Sequence, residues 1–156
     1  ARVVTRCVLG DYLGFGCAYA TIGWYLANKY LRAKTIGGHA HAVEQKVEWL
    51  YAFDVHCNAF APTYVLLYLV QGLASPLLAR QGYVAAIASC LLYAVALVYH
   101  NYCVFVGYNA LPFLDRTEFF LYPAAACAVA APLAALVAFN PTRFVLWVYF
   151  GDRALA

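Results

Sequence analysis

The sequence predicts an all-α fold, a polytopic helical membrane protein with four transmembrane helices and a short interfacial segment at its C-terminal end. Three observations lead there. Of the 156 residues, 66% are hydrophobic and only 11% charged, against about 45–50% and about 25% in soluble domains. The apolar residues gather in runs long enough to cross a hydrocarbon core of ~30 Å, which takes about 20 residues of helix. Aromatic and basic residues collect where these runs end, as Trp24, Tyr25, Lys29, Tyr30, Arg32 and Lys34 do after the first, in the manner of a membrane–water boundary.

The first span covers residues 3–31. Gly10 and Gly14 form a GxxxG pair and, with Gly16, Ala18, Ala20 and Gly23, offer small surfaces on which two helices can approach closely. Asp11 lies inside this span and needs a polar partner there, a Tyr hydroxyl, a histidine or a basic group. The connection Thr35–Lys46 is polar and breaks at Gly37–Gly38. Its His39 and His41 form an HxH, which lacks the third and fourth ligands of a metal site and reads as solvated histidines.

The second span, residues 47–74, opens with VEWLYAFDVHCNAFAP and carries Asp54, His56 and Asn58 inward. On a helix Tyr51, Asp54 and Asn58 share one face at i, i+3 and i+7, with His56 part of the way round. Pro62 predicts a kink, because the carbonyl one turn earlier loses its hydrogen bond. Ser75–Pro76 and Arg80–Gly82 predict a short turn into the third span, residues 83–108, which ends with His100 and Asn101. So short a turn makes the two spans antiparallel. That sets Asp54, His56, Asn58, His100 and Asn101 at similar depth, as an inter-helix polar cluster. Such a cluster serves a proton or ion path, or simply fixes helix register by mutual hydrogen bonding, since buried polar groups need partners whatever the function.

Pro112 ends the third helix region and Asp115, Arg116 and Glu118 mark an interfacial loop. The fourth span, residues 118–139, is rich in alanine and bends at Pro132. The tail 140–156 contains an apolar aromatic run too short to span, which lies at the interface.

The net charge of +3 is small and its Lys and Arg residues are scattered, which sets nucleic acid aside as a partner. The six cysteines stand singly with no CxxC. No nucleophile with a base at usable spacing, phosphate-cradling glycine loop or metal-ligand set is visible, so no catalytic residue, metal or cofactor is assigned. The densest basic cluster near a membrane end places the loop after the first span in the cytosol, together with the loop after the third. The candidate partner-binding residues on that side are Lys29, Arg32, Lys34, Lys46, Asp115 and Arg116. The chain starts at Ala1, has no methionine and opens inside an apolar segment, so it is expected to be part of something longer.

Several motifs fall in order along the chain: Asp11 ahead of GFG at Gly14–Gly16, WYLANKYL, VEWLYAFDVHCNAFAP, GYNALPFL, and LYP from Leu121. Together they resemble the UNC-50 family of polytopic Golgi membrane proteins, the Gmh1-like proteins, over nearly the whole chain. The resemblance implies five spans in the full-length protein, four of them here. It also implies residence in the Golgi or early secretory pathway, delivery of multisubunit receptors to the cell surface, and binding of guanine-nucleotide exchange factors for Arf GTPases, without catalysis. The expected partners are therefore membrane lipids, membrane protein cargo and an Arf exchange factor. The alternatives are an accessory structural subunit of a larger membrane complex, and a proton- or ion-coupled transporter using Asp11, Asp54, His56 and His100.

Overall fold

The computed structural model describes residues 5–33 and 45–151. Lys34, His39, His41 and the last residues of the tail lie outside them. Helix α1 (Phe15–Tyr30) is preceded without a break by a π-helical stretch, Arg6–Gly14. Helix α2 (Trp49–Tyr64) continues through a second π-helical stretch, Val65–Val70, into α3 (Gln71–Leu78). Helix α4 is Tyr83–Asn109, and a 3₁₀ turn, Thr117–Leu121, leads into α5 (Tyr122–Leu136). Helix α6 (Pro141–Phe150) closes the described chain. There is no β-strand among the described residues, only an isolated bridge between Arg32 and Leu114.

Three helical stretches are long and apolar enough to cross a membrane: Trp49–Leu78, Tyr83–Asn109 and Thr117–Leu136. The first expected span does not join them. Arg6–Tyr30 is helical throughout, but Asp11, four glycines and several tyrosines dilute its apolar character. Leu73 is 86% exposed, Val84 80% and Val137 76%. Large aliphatic side chains such as Leu73 and Val84, turned outward along the long helices, fit helices that meet lipid or another apolar partner.

Pro62 lies inside α2, which keeps α geometry through it and widens to π-helix a few residues later without ending. The turn expected at Ser75–Pro76 is helix instead. Pro76 has no N–H to offer the Gly72 carbonyl, and the Ser75 hydroxyl donates to that carbonyl in its place at 2.8 Å. The chain turns only after Leu78, around Gly82 at φ 144°, a conformation that favours glycine.

The chain divides into two compact units. The first comprises Ala1–Ala59 and Cys103–Phe120. Its core joins Ala20, Ala27, Val55, Val104, Tyr108 and Phe120, with the Tyr108 and Phe120 rings stacked at 4.1 Å. α1 enters this core along Gly16, Ala20, Gly23 and Ala27, all buried, at i, i+4, i+7 and i+11 of one face. This seam, not the Gly10–Gly14 pair, makes the close packing: a Cβ on Gly10 would meet nothing described within 4 Å, whereas one on Gly23 would sit 2.6 Å from the Tyr108 hydroxyl.

The second unit comprises Phe60–Tyr102 and Leu121–Ala156. Within it the expected antiparallel pairing holds. Thr63 Oγ1 lies 3.2 Å from His100 Nδ1, and Tyr93 Oη donates to Gln71 Oε1 at 3.1 Å, so partners descend one helix as they climb the other. The tail expected at the interface contains helix α6, with Asn140 as its N-cap, whose Oδ1 accepts the Arg143 N–H at 3.1 Å. Asn140 Nδ2 and Arg143 Nη1 donate to the Leu78 and Ala79 carbonyls at 2.7 and 2.8 Å. They satisfy the free carbonyls at the end of α3. Ser89 Oγ accepts the Thr142 N–H at 2.9 Å and lies 2.7 Å from its hydroxyl.

Candidate functional site

The polar residues expected inside the membrane are distributed over both units. Asp54 and Asn58 lie on an exposed face of α2, where Asn58 Nδ2 donates to the Asp54 carbonyl at 3.0 Å and to its carboxylate Oδ2 at 3.2 Å. His56 is 4% exposed, and the Tyr12, Tyr19 and Phe53 rings lie around it at 5.9–6.5 Å. The third side of its ring is Gly16, where a Cβ would come within 2.8 Å of the imidazole. Asp11 is half-buried in the π-helical stretch, beside Tyr12, whose hydroxyl reaches Cys57 Sγ at 3.0 Å. In the second unit, buried His100 pairs with Thr63 and buried Asn101 donates to the Leu97 carbonyl at 2.8 Å.

The candidate loop residues are brought together by backbone. Leaving α1, Leu31–Ala33 runs alongside Phe113–Asp115. The Ala33 N–H donates to the Phe113 carbonyl at 3.0 Å and the Asp115 N–H to the Leu31 carbonyl at 2.7 Å, flanking the Arg32–Leu114 bridge. Leu114 and Phe120 are buried beneath this junction, while Asp115 and Arg116 stay exposed. Arg116 has φ 56°, a left-handed turn that redirects the chain into the 3₁₀ segment, and Thr117 steadies it by donating to Asn109 Oδ1 at 2.7 Å.

A second junction fixes the approach to α2. Asn28 Oδ1 accepts the Val47 N–H at 2.9 Å while its Nδ2 donates to the Val47 carbonyl at 2.9 Å. Trp24 Nε1 donates to the same carbonyl at 2.9 Å. One asparagine thereby supplies the two bonds that a neighbouring strand would supply. Residues 45–48 are non-helical, and this clamp positions Lys46 next to the basic end of α1. Replacing Asn28 with Leu removes two of these bonds. The expected result is faster hydrogen exchange across residues 45–50, by about tenfold for ~1.4 kcal/mol of lost local stability, with the long helices unaffected.

Sequence reasoning found the charged residues of this face but neither junction. The WYLANKYL motif contains both Trp24 and Asn28, and an asparagine one turn from a boundary tryptophan was the available signal.

Three long apolar helices with outward-facing aliphatic side chains, and an ordered polar and basic junction at their ends, define a polytopic helical membrane protein. The chain belongs to the UNC-50 family, whose family model matches residues 1–150. It is 42% identical over 150 residues to the protein unc-50 homolog of Dictyostelium discoideum, covering 96% of this chain and 56% of that protein. With the protein GMH1 homolog of Schizosaccharomyces pombe it shares 35% identity over 97% of this chain and 63% of the relative. With the human protein unc-50 homolog it shares 35% over 91% of this chain and 53% of the relative. The chain thus spans between half and two thirds of the length of these relatives. No solved structure matches it significantly.

Proposed function

We propose that this chain is the membrane-spanning part of a non-enzymatic trafficking protein of the Golgi or early secretory pathway, which crosses the bilayer four times and recruits an Arf guanine-nucleotide exchange factor through a cytosolic face. The observation that carries the reading, in a chain belonging to the UNC-50 family, is the backbone pairing of Leu31–Ala33 with Phe113–Asp115. It makes one surface from loops far apart in sequence and presents Arg32, Asp115 and Arg116 together with Lys29 and Lys46. α1 with its π-helical leader serves as the fourth span, its Asp11 and glycine seam turned toward protein. Of the polar groups, Thr63–His100 and His56 in its aromatic setting act as register pins rather than as a conduction path, while Asp54 and Asn58 bond within one helix. Delivery of membrane receptors to the cell surface follows from the recruited exchange factor.

The test is capture of a purified Arf exchange factor by full-length protein in lipid nanodiscs. The double substitution Asp115→Arg/Arg116→Glu reverses the exposed charges without touching the backbone pairing. Capture is expected to fall at least about tenfold, the scale of a reversed rim charge pair. Unchanged capture, with the variant correctly inserted, would remove this face from the recruiting role.

A further inference from the structure

α2 carries a carboxylate on its outward face, within a stretch, Trp49–Leu78, that is long and apolar enough to cross a membrane. Leu50, Asp54 and Asn58 are all exposed, and their spacing of i, i+4 and i+8 sets them in one stripe along the helix. Ala52, Val55, His56 and Ala59 are buried, so α2 packs by that side and leaves the stripe uncovered. Trp49 marks the boundary end, since tryptophan collects at headgroup level, and its Nε1 donates to Thr21 Oγ1 at 3.0 Å. At 1.5 Å per residue, Asp54 lies about 7 Å and Asn58 about 13 Å further along the helix, beneath that boundary.

The carboxylate has a neutral partner and no counter-charge. Asn58 Nδ2 donates to Asp54 Oδ2 at 3.2 Å and to the Asp54 carbonyl at 3.0 Å, which supplies hydrogen bonds but no charge. No cation pairs with Asp54 among the described residues. Ionisable side chains in a span almost always meet a charged or polar partner, or water.

A second copy of this chain does not fit the role. Trp49–Leu78, Tyr83–Asn109 and Thr117–Leu136 contain no lysine or arginine. In Arg6–Tyr30 the cations Arg6 and Lys29 stand at the ends, away from Gly16, which packs against α2 at His56. A twofold pairing along the stripe would also set Asp54 near its own copy, which like charges oppose. Charge complementarity therefore selects a chain of different sequence.

We propose that the stripe of Leu50, Asp54 and Asn58 is a docking surface for a transmembrane helix of another protein that carries an arginine or lysine at the depth of Asp54. The cation binds the carboxylate, Asn58 steadies one carboxylate oxygen, and Leu50 packs on the incoming helix nearer the boundary. The surface needs α2 to cross a bilayer and does not need the loop face. Loss of exchange-factor capture by Asp115→Arg/Arg116→Glu and loss of helix docking by Asp54→Leu are therefore separate results.

The test measures energy transfer between dye-labelled full-length protein and a dye-labelled designed helix in phosphatidylcholine nanodiscs. The probe is a leucine–alanine transmembrane helix with tryptophan at its boundaries and one arginine about 7 Å inside one of them. A matched helix carries leucine in place of the arginine. The arginine helix is expected to associate about tenfold more tightly than the leucine helix, the scale of a strong polar contact between model transmembrane helices. Asp54→Glu should keep that preference, and Asp54→Asn and Asp54→Leu should abolish it. Asp54 is exposed, so these substitutions leave the packing of α2 intact. Equal association of the two helices, absence of association with either, or a preference that survives Asp54→Asn would overturn the proposal. Transfer between two copies of the full-length protein that Asp54→Leu abolishes would also overturn it, by giving the stripe to self-association.

Discussion

Replacing Gly23 with valine is expected to destabilise the first unit by about 3 kcal/mol or more, the upper part of the range for overpacking a tight interior. A Cβ at this position would lie 2.6 Å from the Tyr108 hydroxyl and 3.4 Å from the ring carbon that bears it. Tyr108 is only 2% exposed and stacked on Phe120, so its ring has no room to retreat. Gly72→Val is the matched control, because nothing described lies within 4 Å of its added Cβ. The two variants should separate sharply in the unfolding midpoint of detergent-solubilised protein. A double-substitution cycle makes the cause explicit. Tyr108→Phe deletes the atom that the new Cβ meets first, so Gly23→Ala should cost less in the Tyr108→Phe background than in the native chain. Equal cost in both would show that the seam is not set by this contact.

Ser89→Ala is expected to cost about 2 kcal/mol and to release α6. Ser89 and Thr142 are each 0% exposed, and Ser89 Oγ serves both the N–H and the hydroxyl of Thr142. Alanine removes the γ oxygen and adds no atom, which leaves the first turn of α6 with a buried unsatisfied donor. Such a group costs about 1–3 kcal/mol, more than the ~0.6 kcal/mol average of interhelical hydrogen bonds in membranes, because a backbone N–H has no rotamer by which to find another partner. Hydrogen exchange should rise across residues 141–150 and stay unchanged across 15–30. Persistent protection of α6 would mean that Asn140 and Arg143, through the Leu78 and Ala79 carbonyls, hold the helix by themselves.

Much of the helical layout was legible in the sequence, because a stretch that must satisfy its own backbone hydrogen bonds in an apolar solvent has few options. Tyr83–Asn109 lies within one residue of its expected limits. Asn140–Pro141 marks the start of α6 as cap and first helical residue. The misreadings came from local rules that a neighbour overrides. Ser75–Pro76 looks like a turn until the Ser75 hydroxyl is seen taking over the Gly72 carbonyl. The Gly10–Gly14 pair fits a packing motif, but the buried seam is Gly16–Ala20–Gly23–Ala27, and spacing alone does not say which small residues face protein.

The candidate site was legible as a set of charges and not as a place. Lys29, Arg32, Lys46, Asp115 and Arg116 are visible as boundary residues. That Leu31–Ala33 pairs with Phe113–Asp115 depends on two short extended segments with no periodicity. The polar residues of α2 show the same limit. Asp54 and Asn58 share a face and do bond to each other, as i, i+4 spacing allows, but the aromatic setting of His56 comes from Tyr12 and Tyr19 of the preceding helical segments, which no local pattern announces.

The central claim is that the ends of α1 and α4 are joined into one face by backbone pairing, and disulfide trapping tests it directly. Paired residues across such a bridge bring their Cα atoms within the about 4.4–6.8 Å that a disulfide spans. In a background with the six native cysteines replaced, Arg32→Cys/Leu114→Cys should bridge under mild oxidation in native membranes and migrate as a compact species on non-reducing electrophoresis. Failure of the two thiols to bridge, when both react with maleimide after unfolding, would contradict it.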